Sequence, residues 1–161
     1  PYFHSKRHSI IFNENELMCR IEVELEKFTK KVQIESRILG DLAINHIIPT
    51  AVTYQNRLLE NLRGLRETFS PEEYEILGAD RKELIKEIQY HILDIKRMVR
   101  EMIEARHIAN RKPSQEEKAY SYEECVRPYM EKIREHIDDL ELEIDDEIWP
   151  LPKYRELLFN K

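Results

Sequence analysis

Glutamate and histidine at helical spacing are the first residues of this chain that could do chemistry. Glu104 and His107 are three apart, the spacing by which a bundle helix presents a carboxylate and an imidazole to a pair of metal ions. Such a site needs the same pair on a second helix. Glu87 and His91 are four apart, and His136 has no acid three residues before it. Among 32 acidic residues and 6 histidines one such pair arises by chance, so we predict no metal site.

The other reactive residue types are equally isolated. Cys19 and Cys125 fit no metal spacing and make no dense disulfide framework, so we expect reduced thiols in the core or on the surface. The sequence shows no plausible histidine–asparagine relay for either one. Gly40, Gly64 and Gly78 stand alone and cannot form a phosphate-binding loop. We therefore predict no catalytic and no cofactor-binding residue in this chain.

An acidic run near the C-terminal end is the densest cluster of charge. It contains Asp138, Asp139, Glu141, Glu143, Asp145, Asp146 and Glu147. A calcium loop would need a turn-forming glycine, which the run lacks, and the apolar residues between the acids keep helical spacing. Two interpretations stay open. The run is a solvated helix face, or it docks on a basic partner that offsets the unfavourable position of acids at a helix C-terminus.

Composition bounds the class of protein. Only 3 of 161 residues are glycine, which together with abundant Glu, Lys, Arg, Leu and Ile favours long helices. A hydrophobic share of 41% argues against disorder, and a formal net charge of −6 argues against a nucleic-acid partner. No apolar run reaches the roughly 20 residues that span a bilayer, and no signal peptide opens the chain. We expect one cytoplasmic domain with no membrane partner and, since it begins with Pro1, a piece of a longer protein.

Four pairs of a capping residue and an acid three positions later divide the chain into helices. The pairs are Asn13 with Glu16, Ser70 with Glu73, Asp80 with Glu83, and Ser114 with Glu117. Apolar spacing then predicts long helices over about 14–47, 50–67, 81–110 and 115–148, with one or two turns between 70 and 78.

The apolar stripes predict which side of each helix is buried. In the first helix the stripe runs through Ile21, Leu25, Phe28 and Val32 and then shifts to Ile34, Ile38 and Leu42. In the third it runs through Leu84, Ile88, Ile92 (or His91), Ile95, Val99 and Met102, and in the last through Ile133, Ile137, Leu140 and Ile144.

The fold class that follows is all-α, an elongated antiparallel bundle of three to four long helices with a short C-terminal tail helix. Pro49 kinks or breaks one helix, because proline inside a helix costs about 3 kcal/mol, and Pro128 is a bend in the last. Matched helix lengths and short connections favour antiparallel neighbours. We divide the chain into an irregular arm (1–12), a helical bundle domain (13–148) and an aromatic, proline-bounded tail (149–161) that packs on the bundle or on a partner.

Residues 42–56, "LAINHIIPTAVTYQN", carry no charged side chain in a chain that is 36% charged. A surface helix normally carries charge on its outer side, so we expect this uncharged stretch to be enclosed on most sides. Its polar side chains would then form a network that fixes helix register, an intersubunit contact or a ligand site, because each unpaired buried group costs about 1–3 kcal/mol. The candidate residues are Asn45, His46, Ile48, Pro49, Tyr54, Gln55 and Asn56, joined by Trp149, Tyr154 and Phe159 of the tail as interface anchors.

One family matches these strings of residues. "VQIESRILGDLAINHIIPTAVTYQNRLLENLRGL" (32–65) closely resembles the C-terminal helical region of type III glutamine synthetases. "RIEVELEKFTKK" (20–31) and "DDEIWPLPKYRELLF" (145–159) are similar to the same family. The likeness spans nearly the whole chain and is looser over about 68–117.

The resemblance implies a non-catalytic structural or assembly domain. The parent enzyme would join ammonia to glutamate with ATP and Mg²⁺, in the cytoplasm, as a double-ring dodecamer. Its catalytic groups would belong to a β-rich core before residue 1, and no residue here matches their motifs, so no cofactor is implied for this chain itself. The implied partners are that catalytic core and neighbouring subunits. The alternative is a free-standing helical adaptor that binds another protein through its acidic run or its tail.

Overall fold

The computed structural model describes residues 13–153, and every regular element in that range is helical. The elements are α1 (Glu14–Leu42), a first π-helical segment (Ala43–Ile47), α2 (Ile48–Thr68), α3 (Pro71–Leu77), α4 (Ala79–Asn110), α5 (Gln115–Ser121), a second π-helical segment (Tyr122–Val126) and α6 (Arg127–Glu143). No strand occurs among the described residues, so the all-α prediction is confirmed. Because several elements abut, they make three long helical runs: the first run (14–68), α4, and the last run (115–143).

Three predicted helix starts are confirmed by side-chain caps. Ser70 and Glu73 form a complete capping box, in which the Ser70 hydroxyl accepts from the Glu73 N–H and the Glu73 carboxylate accepts from the Ser70 N–H. Hydrogen bonds from the side chain and backbone of Ser70 hold the pKa of Glu73 below its ordinary value. Asn13 and Ser114 likewise accept from N–H groups in the first turns of α1 and α5.

The fourth predicted start, at Asp80, is wrong because α3 and α4 join at Gly78 without a loop. Gly78 stays in the helical region of backbone space, so α4 begins directly after it and Asp80 lies in the first turn. A Cβ at this position would lie 2.9 Å from the Tyr74 carbonyl oxygen and 3.1 Å from Leu62 Cδ2. The close approach of backbone and side chain therefore requires glycine here, with no need for an unusual φ.

Both prolines within the long runs follow a π-helical segment. Pro49 and Pro128 each stand two residues after such a segment, and helical structure continues through them. Proline lacks an N–H and its ring clashes with the carbonyl four residues back. The wider π turn, closed in the first run by the Ile48 N–H donating to the Ala43 carbonyl, accommodates that ring. The first run is therefore not broken at Pro49, although its hydrogen bonding changes there.

The first run and α4 meet in opposite chain order. Gln33 donates through its side-chain amide to Asn110 at 3.2 Å, and Gln55 donates to the Ile85 carbonyl at 2.9 Å. Residue numbers along α4 therefore fall as those along the first run rise. This order shows that the two helices run antiparallel.

The core lies where the three runs meet. Its fully enclosed large side chains are Ile47, Ile88, Ile95, Met102, Tyr122, Val126, Ile133 and Leu140. The predicted buried sides of α4 and α6 are confirmed, since the residues of both stripes are buried apart from Leu84, which is partly buried.

The predicted stripe of the first run is wrong at Ile21, which is exposed, and again after Val32. Ile34 and Ile38 are more than half exposed, whereas Ser36 and Ala43 are fully buried. Gly40 lies beside them, where a Cβ would be 3.5 Å from Met102 Cε. The small residues Ser36, Gly40 and Ala43 follow each other at helical spacing on the covered side of the run, so hydrophobicity alone pointed to the wrong side.

Candidate functional site

The uncharged stretch has two faces, only one of which is covered within the described residues. Its inner face, buried against the bundle, consists of Ala43, Ile47, Ile48, Ala51 and Gln55. Its outer face is exposed and consists of Ile44, Asn45, His46, Pro49, Val52, Thr53 and Asn56. We expected the stretch to be enclosed on most sides, but within the described residues only its inner face is covered.

Of the four polar side chains singled out in this stretch, Gln55 alone makes a contact between helices. Its amide donates to the Ile85 carbonyl, which ties α2 to α4 and fixes their relative register. Asn45 donates to the neighbouring Asp41 carboxylate at 2.6 Å on the exposed side. His46 and Asn56 are exposed, and Tyr54 packs partly buried against the core.

A polar network that the sequence did not suggest connects all three runs. The Tyr122 hydroxyl donates to Asn110 Oδ1 at 2.8 Å, and the Gln33 amide donates to the same oxygen. The Tyr122 ring is fully buried, and burial raises the pKa of its hydroxyl. Nearby, burial lowers the pKa of Arg106, with the charge of Arg37 acting in the same direction. One amide oxygen of α4 thus joins α1 to the second π segment.

A histidine pair bridges α4 and α6. His91 Nδ1 and His136 Nδ1 are 2.8 Å apart, and the half-buried rings meet edge to face with centroids 5.0 Å apart. Such a contact needs one nitrogen to donate and the other to accept, so it is lost when both rings are protonated. Asp94 lies close by, and its pKa is held below the ordinary value chiefly by a hydrogen bond from Arg97. The sequence contained both histidines but no sign that they meet.

An uncompensated carboxylate lies further along the same interface. Glu143 Oε2 is buried without a hydrogen-bond partner among residues 13–153. Burial raises the pKa of Glu143, and the negative charges of Glu87 and Asp139 raise it further. The ionised form of this side chain is therefore disfavoured in the folded protein.

Glu143→Gln should stabilise the chain near neutral pH. In the folded protein the pKa of Glu143 lies above its ordinary value of 4.5. The protonated side chain therefore contributes its full stability at pH values below 4.5, and this contribution is lost as the pH rises through the raised pKa. The variant escapes this loss, so its free energy of unfolding should exceed that of the parent at about pH 7.5 and match it at about pH 4. Urea unfolding at both values checks this, with Glu147→Gln, an exposed acid, as control. A less stable variant at the higher pH would contradict the assignment.

The acidic end of α6 is met by a lysine of the same chain. Lys153 Nζ donates to the Glu141 and Ile144 carbonyl oxygens at 2.7 and 3.2 Å and pairs with the Asp146 carboxylate. A cation at these terminal carbonyls complements the helix dipole, which the acids of the last turn oppose. The helix also ends at Glu143, five residues before the predicted end, because Ile144 adopts an extended conformation.

The described part of the tail packs back on the bundle. Trp149 is buried in the core cluster and Leu151 lies partly buried against it. Trp149 Nε1 has no hydrogen-bond partner within residues 13–153. Tyr154 and Phe159, the other two predicted anchors, and the predicted tail helix lie outside the described residues.

The residues considered for catalysis or metal binding stay apart. Cys19 and Cys125 are exposed free thiols, and Glu104 and His107 are exposed on α4. Within residues 13–153, no three His, Cys, Asp or Glu side chains meet as a metal site would require. Over the same range, none of the helices has an apolar stretch that could cross a membrane.

The amino-acid sequence of this chain is similar to that of known proteins. Residues 4–66 match the family described as glutamine synthetase C-terminal domain. The chain is also 71% identical over 151 residues to a glutamine synthetase of Bacteroides fragilis (strain YCH46). That alignment covers 94% of this chain but 21% of the relative, so the chain spans about a fifth of the length of the curated relative it matches.

Proposed function

We propose that this chain is a non-catalytic structural and assembly domain of a glutamine synthetase of type III. Two similarities support this: residues 4–66 match the C-terminal domain of that family, and the chain is 71% identical over 151 residues to a glutamine synthetase. The parent enzyme would use ATP and Mg²⁺ to join ammonia to glutamate in the cytoplasm. The domain's partners would be the catalytic core of the same polypeptide and neighbouring subunits of a double-ring dodecamer.

The two-faced uncharged stretch is the observation that supports an assembly role. Its inner face already packs on α4, and its outer face presents Ile44, Pro49 and Val52 with no charge among them. Apolar surface beside exposed polar side chains is typical of contact sites. The outer face is therefore our candidate surface for the rest of the enzyme, and Asn45, His46 and Asn56 would provide its hydrogen bonds.

The finer architecture belongs to the same proposal. We infer an elongated antiparallel bundle over 13–148 that bends at Pro49, with the tail (149–161) folded against it. The opposite chain order of the first run and α4, and the π segment before Pro49, support this arrangement. Small-angle scattering of the isolated chain would test this arrangement, because a roughly spherical particle would contradict an elongated bundle.

The isolated chain should make no glutamine. Within residues 13–153 no group of three or more His, Cys, Asp or Glu side chains is arranged to hold a metal ion, and the role we propose is structural. Incubation with ATP, Mg²⁺, ammonia and glutamate, followed by assay of glutamine and of released phosphate, tests this. Measurable turnover would show that a catalytic site has been overlooked. Metal analysis of the same sample tests the separate prediction that no iron or zinc is bound through Glu104 and His107.

Deleting this domain from the full polypeptide should change the assembly of the enzyme. We expect smaller particles by analytical ultracentrifugation, because the uncharged outer face would no longer contribute a contact. A second deletion, of residues 154–161 alone, tests separately whether the predicted anchors Tyr154 and Phe159 contribute to assembly. An assembly of unchanged size and activity after deletion of the whole domain would contradict the proposed role.

The adaptor alternative is not favoured. Identity of 71% to a glutamine synthetase extends over 94% of the chain, which includes the acidic run that an adaptor would use. Lys153 already occupies the end of the acidic run, which removes the main reason to expect a basic partner there.

A further inference from the structure

Among residues 13–153, the N-terminal end of α1 extends beyond the other helices of the bundle. Every residue from 13 to 24 is exposed, and the first buried residue of α1 is Thr29. The Gln33–Asn110 hydrogen bond marks the place where α4 ends beside α1. The first turns of α1, residues 13–24, form what we call the overhang.

The overhang continues the apolar row by which α1 packs on the bundle. Members of this row are spaced three or four apart and are Met18, Ile21, Leu25, Phe28, Val32, Ser36 and Leu39. Val32 is 5% exposed, but Ile21 is 46% and Met18 is 62% exposed. Residues at this spacing share one face of a helix, so the covered row continues for two turns with none of the described residues against it. An uncovered apolar row in line with a buried one marks an interaction surface.

Charge argues against a second copy of the overhang as the occupant. Residues 13–24 contain four glutamates and one arginine, a formal charge of −3. Two overhangs side by side would bring like charges together, and such a juxtaposition disfavours association. A suitable partner surface has an apolar centre and a basic rim.

The position of the missing polypeptide indicates what that partner is. About four fifths of the B. fragilis relative lies outside its alignment with this chain. The matching family is described as a C-terminal domain, and its match begins at residue 4 and ends in α2, so it contains the overhang but neither α4 nor α6. A preceding catalytic part would join the chain at the end where the overhang lies.

We propose that the overhang docks through Met18 and Ile21 on the catalytic part of its own polypeptide, at an apolar surface with a basic rim. This inference rests on the proposed function and names the surface by which the domain is held. In this arrangement the C-terminal part of α1 packs in the bundle and its N-terminal part packs on the catalytic part of the polypeptide.

Photo-crosslinking of the full-length enzyme tests the proposal. p-Benzoylphenylalanine is placed at Met18 or, as matched control, at Val23, which is also exposed and lies about 140° away around the same helix. We expect Met18 to cross-link to peptides that precede residue 1, at least about fivefold more than Val23. Mixed assemblies of isotope-labelled and unlabelled subunits show whether both peptides belong to one polypeptide.

Hydrogen exchange supplies an independent measurement. In the full-length enzyme the amides of residues 17–24 should exchange slowly, and Ile21→Asp should make them exchange at least about tenfold faster, because docking protects the helix from local unfolding. Val23→Asp should leave the rates unchanged.

Four results would overturn the proposal. Three concern cross-links from Met18: to another copy of this domain, only to residues 1–12, or only to a neighbouring subunit. The fourth is an equal effect of Ile21→Asp and Val23→Asp on hydrogen exchange. If deletion of the domain still alters the assembly, the proposed function survives that failure. If deletion has no effect, the proposed function fails whatever the overhang contacts.

Discussion

Ile48→Asp should lower the free energy of unfolding of this chain by roughly 3–5 kcal/mol, because it leaves an unpaired charge in the core. Ile48 belongs to the buried cluster and directly follows the first π segment. Small domains have about 5–15 kcal/mol of stability, so the loss is a large share of the total. Urea denaturation of the isolated chain measures it, and sedimentation of the full enzyme shows whether the assembly also dissociates.

Val52→Asp is the matched control for that substitution. Val52 lies four residues on, in the same uncharged stretch, but is 41% exposed on the outer face. Its replacement should change the stability of the isolated chain by no more than about 0.5 kcal/mol. In the full enzyme the same variant should weaken assembly if the outer face is a contact surface. An unchanged melting temperature and oligomer size in Ile48→Asp would contradict the burial that the structure assigns to it.

Tyr122→Ala should have an effect of similar size, about 3–5 kcal/mol, because truncation of a buried aromatic ring leaves a cavity. Tyr122 is fully enclosed, and its hydroxyl donates to Asn110 where the three runs meet. Thermal and urea unfolding of the isolated chain measure the loss. The network also predicts that the variant loses protection from hydrogen exchange around the second π segment.

Two further variants show how much of this effect comes from the hydroxyl of Tyr122 and how much from the burial of its ring. Tyr122→Phe keeps the ring and should cost about 1 kcal/mol, because Asn110 still accepts from Gln33. Tyr120→Ala removes a ring that is exposed and should change stability by less than about 0.5 kcal/mol. Equal effects of the Tyr120 and Tyr122 truncations would mean that the second π segment is not part of the core.

The two π segments show how the chain keeps prolines inside long helices. Pro49 and Pro128 both read in sequence as ends or kinks, since an interior proline removes a hydrogen bond and clashes with the preceding turn. In the structure each proline instead follows a five-residue wider turn, and the helical run continues. The inner residues of both segments are fully buried, which packs the irregular turns into the core. Irregular helical turns of this type often lie at functional positions, and the first lies within the proposed contact stretch.

Much of the candidate surface could be named from the sequence, but its orientation could not. The absence of charge over residues 42–56 singled out the stretch, in which Gln55 and Ile48 are buried; its role as a contact surface stays a prediction. The same pattern could not show that Asn45 and His46 face outward, because every side of the stretch is uncharged and periodicity then distinguishes no face. The overhang was equally hidden, since its apolar row has the same spacing as the row that is packed.

The amino-acid sequence by itself determined the helices, most of their starts and the inner faces of α4 and α6. These features depend on capping residues, on apolar spacing and on turn chemistry within a few residues along the chain. Only the tertiary structure decided that Ser36 and Ala43 are buried, that His91 meets His136, and that Gln33 and Tyr122 both donate to one oxygen of Asn110. Such contacts depend on the offset and rotation of one helix against another. Those quantities are set by how all the side chains pack at once, and no local pattern records them.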